Sequence, residues 1–282
     1  MHRELPSRNN LMNAFRNTLE IWHLASAGIG IRSRLLAFLC GRLLTLSKKR
    51  QILRKAIFIL IGWFARNGQV GISFRVSGQP VVVFLRQDNK ADYLIFGEMV
   101  KGGYKVPGNV ADRLTAVIDG GANIGLFALF AHATFPGIKL TCYEPEKDNL
   151  VQLRRNLEAN KIKAEVIPKA LWSQTAELFF HSSESHIGFV DANPSPHPIS
   201  CILPAVPDHC WLKLDIEGAE YEVLPALLKS GSKPKIISME IHDFDRRGNQ
   251  ILSLLQAHGY EWNESFEPSE PCVTICAFKH SK

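Results

Sequence analysis

The sequence predicts a doubly wound α/β domain with a helical segment and a β-hairpin placed ahead of it. Three observations carry that prediction. From residue 116 onward, short apolar β-like runs alternate with helix-like stretches. A glycine-rich turn joins the first of those runs to the first of those helices. The N-terminal end differs from the rest in period and charge: residues 1–66 carry a formal +10 and residues 67–282 a formal −4, within a total of +6 over 282 residues.

In chain order, residues 1–66 read as a basic, mostly helical extension. Apolar residues recur at helical spacing through Ile21, Trp22, Leu24, Leu35, Leu36, Phe38 and Leu39, and again from Ile52 to Phe64. Gly28, Gly30 and Gly41 are read as breaks between two or three helices. Lys48, Lys49, Arg50, Arg54 and Lys55 interleave with the apolar positions. This segment is either a helical cap with solvated basic faces or a peripheral contact with anionic membrane or an anionic substrate.

Residues 67–282 are read as the second domain, with 67–115 a hairpin and helix and 116–282 its core. The hairpin turns at Ser77–Pro80, and a helix follows from Asp92 to about residue 102. The core strands are expected at 116–119, 138–143, 164–168, 176–181, 211–214, 235–241 and 272–278. Helices are expected at 124–134, 147–160, 219–229 and 249–258. Residues 182–207 are Pro-, Ser- and His-rich without a clear period, and read as a long loop.

Composition narrows the class. With 46% hydrophobic and 21% charged residues, the chain can bury a core. The positive charge sits at one end, so a basic nucleic-acid coat is not expected. Six cysteines are too few for a disulfide scaffold, and no paired-cysteine metal motif is present, so no zinc site is expected. The longest apolar stretch, Ala56–Ala65, is too short to span a bilayer, which needs about 20 residues. The polar N-terminus does not read as a secretory signal. A reducing, cytoplasmic location is expected, with peripheral membrane contact as an option.

The chemistry concentrates at the turn Val117-Ile118-Asp119-Gly120-Gly121-Ala122-Asn123-Ile124-Gly125. Gly120, Gly121, Ala122 and Gly125 allow close backbone approach, and Asp119 ends the strand where open α/β sheets bind ligands. The spacing D-x-G-x-N-x-G differs from the dinucleotide pattern G-x-G-x-x-G. A carboxylate at this turn repels pyrophosphate and attracts an ammonium group, which favours S-adenosylmethionine over NAD. Glu144, at the end of the next strand, is placed to accept the ribose hydroxyls.

These residues resemble the FkbM family of S-adenosylmethionine-dependent methyltransferases. The similarity rests on Ile118–Gly125, Glu144-Pro145, Asn156, and above all Leu212-Lys213-Leu214-Asp215-Ile216-Glu217-Gly218-Ala219-Glu220. Arg86, Asp92, Phe96 and Tyr104 resemble the family's upstream segment, and Glu240 in Met239-Glu240-Ile241-His242 fits a later strand acid. The likeness covers about residues 80–280. It implies a Rossmann-like fold of class I methyltransferase type and O-methylation of a hydroxyl on a sugar, glycan or secondary metabolite. It also implies that Tyr104 covers the methionine end of the cofactor.

Candidate catalytic residues are Asp215, Glu240 and His242. Asp215 acts either as general base or as a holder of the methionine amino group. His242 is the histidine placed for a titratable role near neutral pH. Glu217-Gly218-Ala219-Glu220 reads as a helix start, and a buried Lys213 needs Asp119 or Glu240 as partner. Backbone at Ala170 is placed to meet the adenine. The clustered acids leave a divalent metal possible, though none is assigned. A scaffold protein without turnover and an NAD-dependent enzyme are the competing readings.

Overall fold

The computed structural model describes residues 21, 25–46, 50–101, 114–182, 188–191, 193, 195–267 and 269–279. The chain divides into two compact units, Met1–Tyr104 and Lys105–Lys282.

In the first unit, α1 (Gly30–Thr45) and α2 (Gln51–Gly62) precede a hairpin of β1 (Gln69–Val76) and β2 (Gln79–Arg86), and α3 (Lys90–Val100) follows. Ser77 and Gly78 turn the hairpin with positive φ of 49° and 80°, the geometry that matches strand twist in a two-residue turn. The chain before α1 is stitched to β1, with Ile29 N donating to Ser73 O at 2.7 Å and Arg75 N to Ala27 O at 2.8 Å. The hairpin therefore groups with the N-terminal helices, not with the domain that a division at residue 66 gave it to. Gly41 does not break a helix as the sequence suggested. It lies inside α1, where a Cβ would fall 2.8 Å from Ile21 Cγ2, so packing explains it. Asp92, fully buried, takes a two-pronged grip from Arg86, Nε at 3.0 Å and Nη2 at 2.7 Å. Phe96 packs edge-on to Phe74.

The second unit is built on a six-stranded sheet ordered β12-β11-β10-β3-β4-β5. Its members are β3 (Ala116–Gly120), β4 (Lys139–Tyr143), β5 (Ala164–Ile167), β10 (Cys210–Leu214), β11 (Ile236–His242) and β12 (Cys272–Phe278). All neighbours are parallel except β12, which runs antiparallel to β11. The chain winds outward from β3 to β5, then returns to β10 on the other side of β3. The β3/β10 junction is thus the point where strand order reverses, and ligands of open α/β sheets bind beyond the carboxyl ends there. Four helices alternate with these strands: α4 (Leu126–Thr134), α5 (Lys147–Ala159), α6 (Glu220–Lys229) and α7 (Phe244–Ala257).

The central strands are buried on both faces, which is why they read as apolar runs rather than as alternation. Trp211 on β10 is fully buried, meets Phe127 edge-on at 4.8 Å and donates its indole N–H to Ser238 Oγ at 2.8 Å. Asn156 on α5 is also fully buried, and its amide donates to Ile124 O at 2.8 Å, fastening that helix to the glycine-rich turn.

Two expectations change. The stretch 182–207 contains β8 (Gly188–Asp191) and β9 (Pro198–Ile202), which join β6 (Ala170–Leu171) and β7 (Ala176–Ser182) in a second sheet ordered β6-β9-β7-β8. Strands of four and five residues flanked by Pro, Ser and Asn are too short to show a period. The last helix starts at Phe244, not near Asn249. Its first turn, Asp245-Arg246-Arg247, is polar and hides the apolar repeat, while Asp243 pairs with Arg246 and Arg247 at 2.8 and 3.0 Å.

Candidate functional site

The parallel register lays β10 directly against β3, Lys213 opposite Asp119 and Leu214 opposite Gly120. Both strands release their chains at this level, so the turn after β3 and the loop after β10 share one end of the sheet. Gly121 shows how closely. With φ at +72°, a Cβ there would sit 1.9 Å from Asp215 O. The residue must be glycine because the neighbouring loop's backbone occupies the space, whereas the sequence suggested room for a ligand. Asp215 N closes the junction by donating to Gly120 O at 3.2 Å.

The turn uses its own N–H groups. Gly121 N and Ala122 N donate to Tyr143 O at 3.1 and 2.9 Å, Gly125 N donates to Ala122 O at 2.8 Å, and Asn123 N donates to Glu144 Oε2 at 2.7 Å. A phosphate-binding loop needs such groups free and pointing outward. Here acceptors are left over instead. Asn123 Oδ1 is buried and takes no hydrogen bond among the described residues. Hydroxyl and ammonium donors suit this set, and a pyrophosphate does not.

Asp119, expected to face the cofactor, is 0% exposed in the structure and turned toward Lys213. Burial pushes its carboxyl up, and the Lys213 charge pulls it partly back. Lys213 Nζ lies 3.5 Å from Asp119 Oδ1, 3.4 Å from Asp215 Oδ2, and donates to Gly121 O at 2.7 Å. One buried ammonium thus ties the turn, β3 and the acid after β10 into a unit. Asp215 differs from Asp119 in being open, with its side chain 38% exposed.

Glu144 directly follows β4 and is almost completely covered, at 4% exposure. Besides Asn123 N, it accepts Glu146 N at Oε1 (2.9 Å), and Asn149 Nδ2 approaches Oε1 at 3.4 Å. A carboxylate offers about four lone-pair directions, two on each oxygen, so Oε2 keeps capacity for one further donor while Oε1 is already served by two. Burial pushes its carboxyl up to about 7, against the pull of those N–H donors. Ala170 is also buried, and its strand pairs with β9, Ala170 opposite Cys201. Its neighbour Leu171 reaches in until its Cδ1 lies 2.6 Å from where a Gly120 Cβ would be. Tyr104, expected over the methionine end, lies outside the described residues.

A second cluster lies at the same end of the sheet. Glu217 and Gly218 both take positive φ, 56° and 100°, forming a tight turn into α6, which begins at Glu220 as the sequence suggested. His242, at the end of β11, meets Glu217 Oε2 through Nε2 at 3.1 Å and Glu220 Oε1 through Nδ1 at 3.2 Å. Burial alone would push the imidazole down. The hydrogen bonds and charges of the two glutamates outweigh it and push it up to about 11. His242 is therefore an imidazolium clamped between carboxylates across the neutral range, not the base near neutral pH that the sequence suggested. The stabilisation from this clamp is complete below pH 6.5 and is lost as pH rises through about 11. The His242 ring resonances are expected to stay flat in NMR titration from about pH 5 to 8. A midpoint near 6.5 would contradict the clamp.

Glu240 accepts the Cys272 thiol at 2.9 Å, and burial, followed by the nearby Asp215 charge, pushes its carboxyl up. Cys272 was not foreseen. It starts the antiparallel strand β12, so pairing with β11 carries it to the carboxyl end of its neighbour, opposite His242. Asp215, Glu217 and His242, and likewise Glu240, His242 and Cys272, bring possible ligand atoms within 4.8 Å of one another. His242 belongs to both sets, and in each it is already engaged by Glu217 and Glu220.

Residues 119–262 match the model of the methyltransferase FkbM domain. The chain belongs to the FkbM methyltransferase family. Among its relatives is the 31-O-demethyl-FK506 methyltransferase FkbM of Streptomyces tacrolimicus, 24% identical, the alignment covering 51% of this chain and 72% of that protein. Similar solved structures include a methyltransferase FkbM from Methylobacillus flagellatus KT (14% identity, TM-score 0.43, 95% of this chain and 60% of that one). Another is the Pyrococcus abyssi tRNA (uracil-54, C5)-methyltransferase in complex with S-adenosyl-L-homocysteine (15% identity, TM-score 0.40, 73% of this chain and 43% of that one). The chain spans less than two thirds of either solved protein. FkbM methyltransferases are S-adenosylmethionine-dependent, and the acceptors left at Asn123 Oδ1 and Glu144 Oε2 fit that cofactor.

Proposed function

We propose that this chain transfers a methyl group from S-adenosylmethionine to a hydroxyl oxygen of a sugar, glycan or secondary metabolite. The observation that carries the reading is Asp215. It is an acid fixed by the buried Lys213 ammonium yet open to solvent, at the carboxyl end of the strand beside the glycine-rich turn. The cofactor would supply a methyl group on a sulfonium, a leaving group that needs no acid. The protein's tasks are then alignment and removal of the acceptor's hydroxyl proton.

Each residue has a part in that reading. Glu144 and Asn123 accept hydrogen bonds from the cofactor's hydroxyl groups. Asp215 takes the acceptor's proton. Glu240, its carboxyl held up by burial, stands close enough to feel the Asp215 charge and sets the polarity of that wall. His242 holds the Glu217 turn and the start of α6 in place. An oxygen acceptor agrees with the curated relative, named for the 31-O position of FK506.

The test is methyl transfer from labelled S-adenosylmethionine to a panel of hydroxylated small molecules and glycans, followed by mass spectrometry. Asp215→Asn is expected to lower kcat by about 10²–10⁴-fold and to change cofactor affinity by no more than a few-fold. A variant that keeps kcat and loses cofactor affinity would assign Asp215 to holding the cofactor instead.

A further inference from the structure

Helix α2 is apolar over more than half of its circumference, and only one edge of that arc is buried. Ile57 and Ile61 are buried, as a packed helix requires. Next to them around the helix, Ile52 is 87% exposed, Leu53 44%, Ile59 59%, Leu60 39% and the capping residue Trp63 76%. At 100° per residue these five positions and Ala56 fall within an arc of about 120°. This is a stripe rather than a scatter of single exposed residues, and stripes of this kind mark interaction surfaces. It extends onto α1: Arg32 Nη2 donates to Phe64 O at 2.7 Å, bringing the start of α1 to the end of α2, and Ile31 beside it is 87% exposed.

The charge around the stripe is one-sided. Between Glu20 and Asp88 the sequence has eleven Lys and Arg residues and no Asp or Glu. Arg50, at the helix N-cap, and Lys55, on the flank of the stripe, are exposed. Trp63 sits at the opposite end, where an indole ring suits the boundary between hydrocarbon and headgroups. With 12 residues α2 is far too short to cross a bilayer, and no described helix is long and apolar enough to do so.

We propose that α2 docks the protein onto an anionic lipid surface, lying in the interface plane with Ile52, Ile59 and Trp63 inserted and Arg50 and Lys55 at headgroup level. Apolar burial and attraction to anionic lipids are the two terms that hold such a helix. Charge selects lipid over a second copy of the chain. A two-fold interface sets the same patch against itself, and here it would bring two acid-free, strongly basic segments together. The inference stands apart from the methyl-transfer reading and is tested without turnover.

The experiment is co-sedimentation of the full chain with vesicles of phosphatidylcholine alone and with about 30% phosphatidylglycerol. Binding is expected only to the anionic vesicles, and to fall several-fold when salt is raised to about 0.5 M. Ile52→Glu/Ile59→Glu changes only exposed positions, so its circular dichroism melt should match the parent while vesicle binding drops about tenfold or more. Arg50→Glu/Lys55→Glu should remove the salt-sensitive part. Equal vesicle binding by the parent and Ile52→Glu/Ile59→Glu would overturn the proposal. So would a concentration-dependent dimer that this variant dissociates, which would show that a second copy covers the stripe, or binding confined to an acidic protein.

Discussion

Lys213→Met is expected to destabilise the C-terminal unit by about 3–5 kcal/mol, a fall of roughly 10 °C in Tm for a unit of this size. The cost is not a lost surface ion pair. Asp119 is fully buried, and the ammonium 3.5 Å from its Oδ1 is the positive charge that compensates it. Two consequences separate this account from simple loss of packing. Adding Asp119→Asn to the variant should recover much of the loss, because no charge is left to strand. The single variant should also recover as pH falls. Burial already holds the Asp119 carboxyl above its ordinary value, so its folded form binds a proton more readily than its unfolded form. The penalty therefore grows as pH rises through that window and shrinks below it. Chemical denaturation of both variants at about pH 5 and 7.5 checks both statements; equal losses at the two pH values would contradict them.

Glu144→Ala is expected to weaken S-adenosylmethionine binding by about 10–100-fold, the range for losing hydrogen bonds to a charged acceptor. Glu144→Gln should lie in between, since its amide nitrogen would face either Asn123 N–H or Glu146 N–H and leave one without an acceptor. The wild-type affinity should itself depend on pH. Because burial pushes the Glu144 carboxyl up to about 7, the ionised acceptor forms only as pH passes that value. Affinity should therefore tighten from about pH 6 to 8 and be flat over that range in Glu144→Gln. The stability contribution runs the other way. The folded state holds an extra proton between the ordinary value of 4.5 and about 7, so this group's contribution falls as pH rises through that interval. Calorimetric titration of the three proteins across that range measures the first effect, and denaturation of the parent measures the second.

What the sequence showed depended on whether a residue's role is local. The strand–turn–helix around Asp119, the acid after the next strand and the Leu212–Glu220 segment are contiguous patterns, and all lie at one end of the sheet. The need of a buried Lys213 for a carboxylate partner was legible too, because an ammonium inside an apolar strand has few alternatives. Roles set by neighbours distant in sequence were not legible. Gly121 faces the Asp215 carbonyl across 94 positions of chain. Cys272 reaches Glu240 only because β12 runs antiparallel. His242 lost its expected base role to two glutamates that a φ-positive turn folds back on it. In the second sheet, the strands β8 and β9 are too short, and too interrupted by Pro and Ser, to announce themselves.

The most direct measurement is a calorimetric titration of the full chain with S-adenosylmethionine, run beside NAD. Saturable one-to-one binding of S-adenosylmethionine, weakened by Glu144→Ala, and no heat from NAD is the predicted result. No binding of S-adenosylmethionine, or binding of NAD that Glu144→Ala weakens in its place, would contradict the account of the β3/β10 end of the sheet as a methyl-donor site.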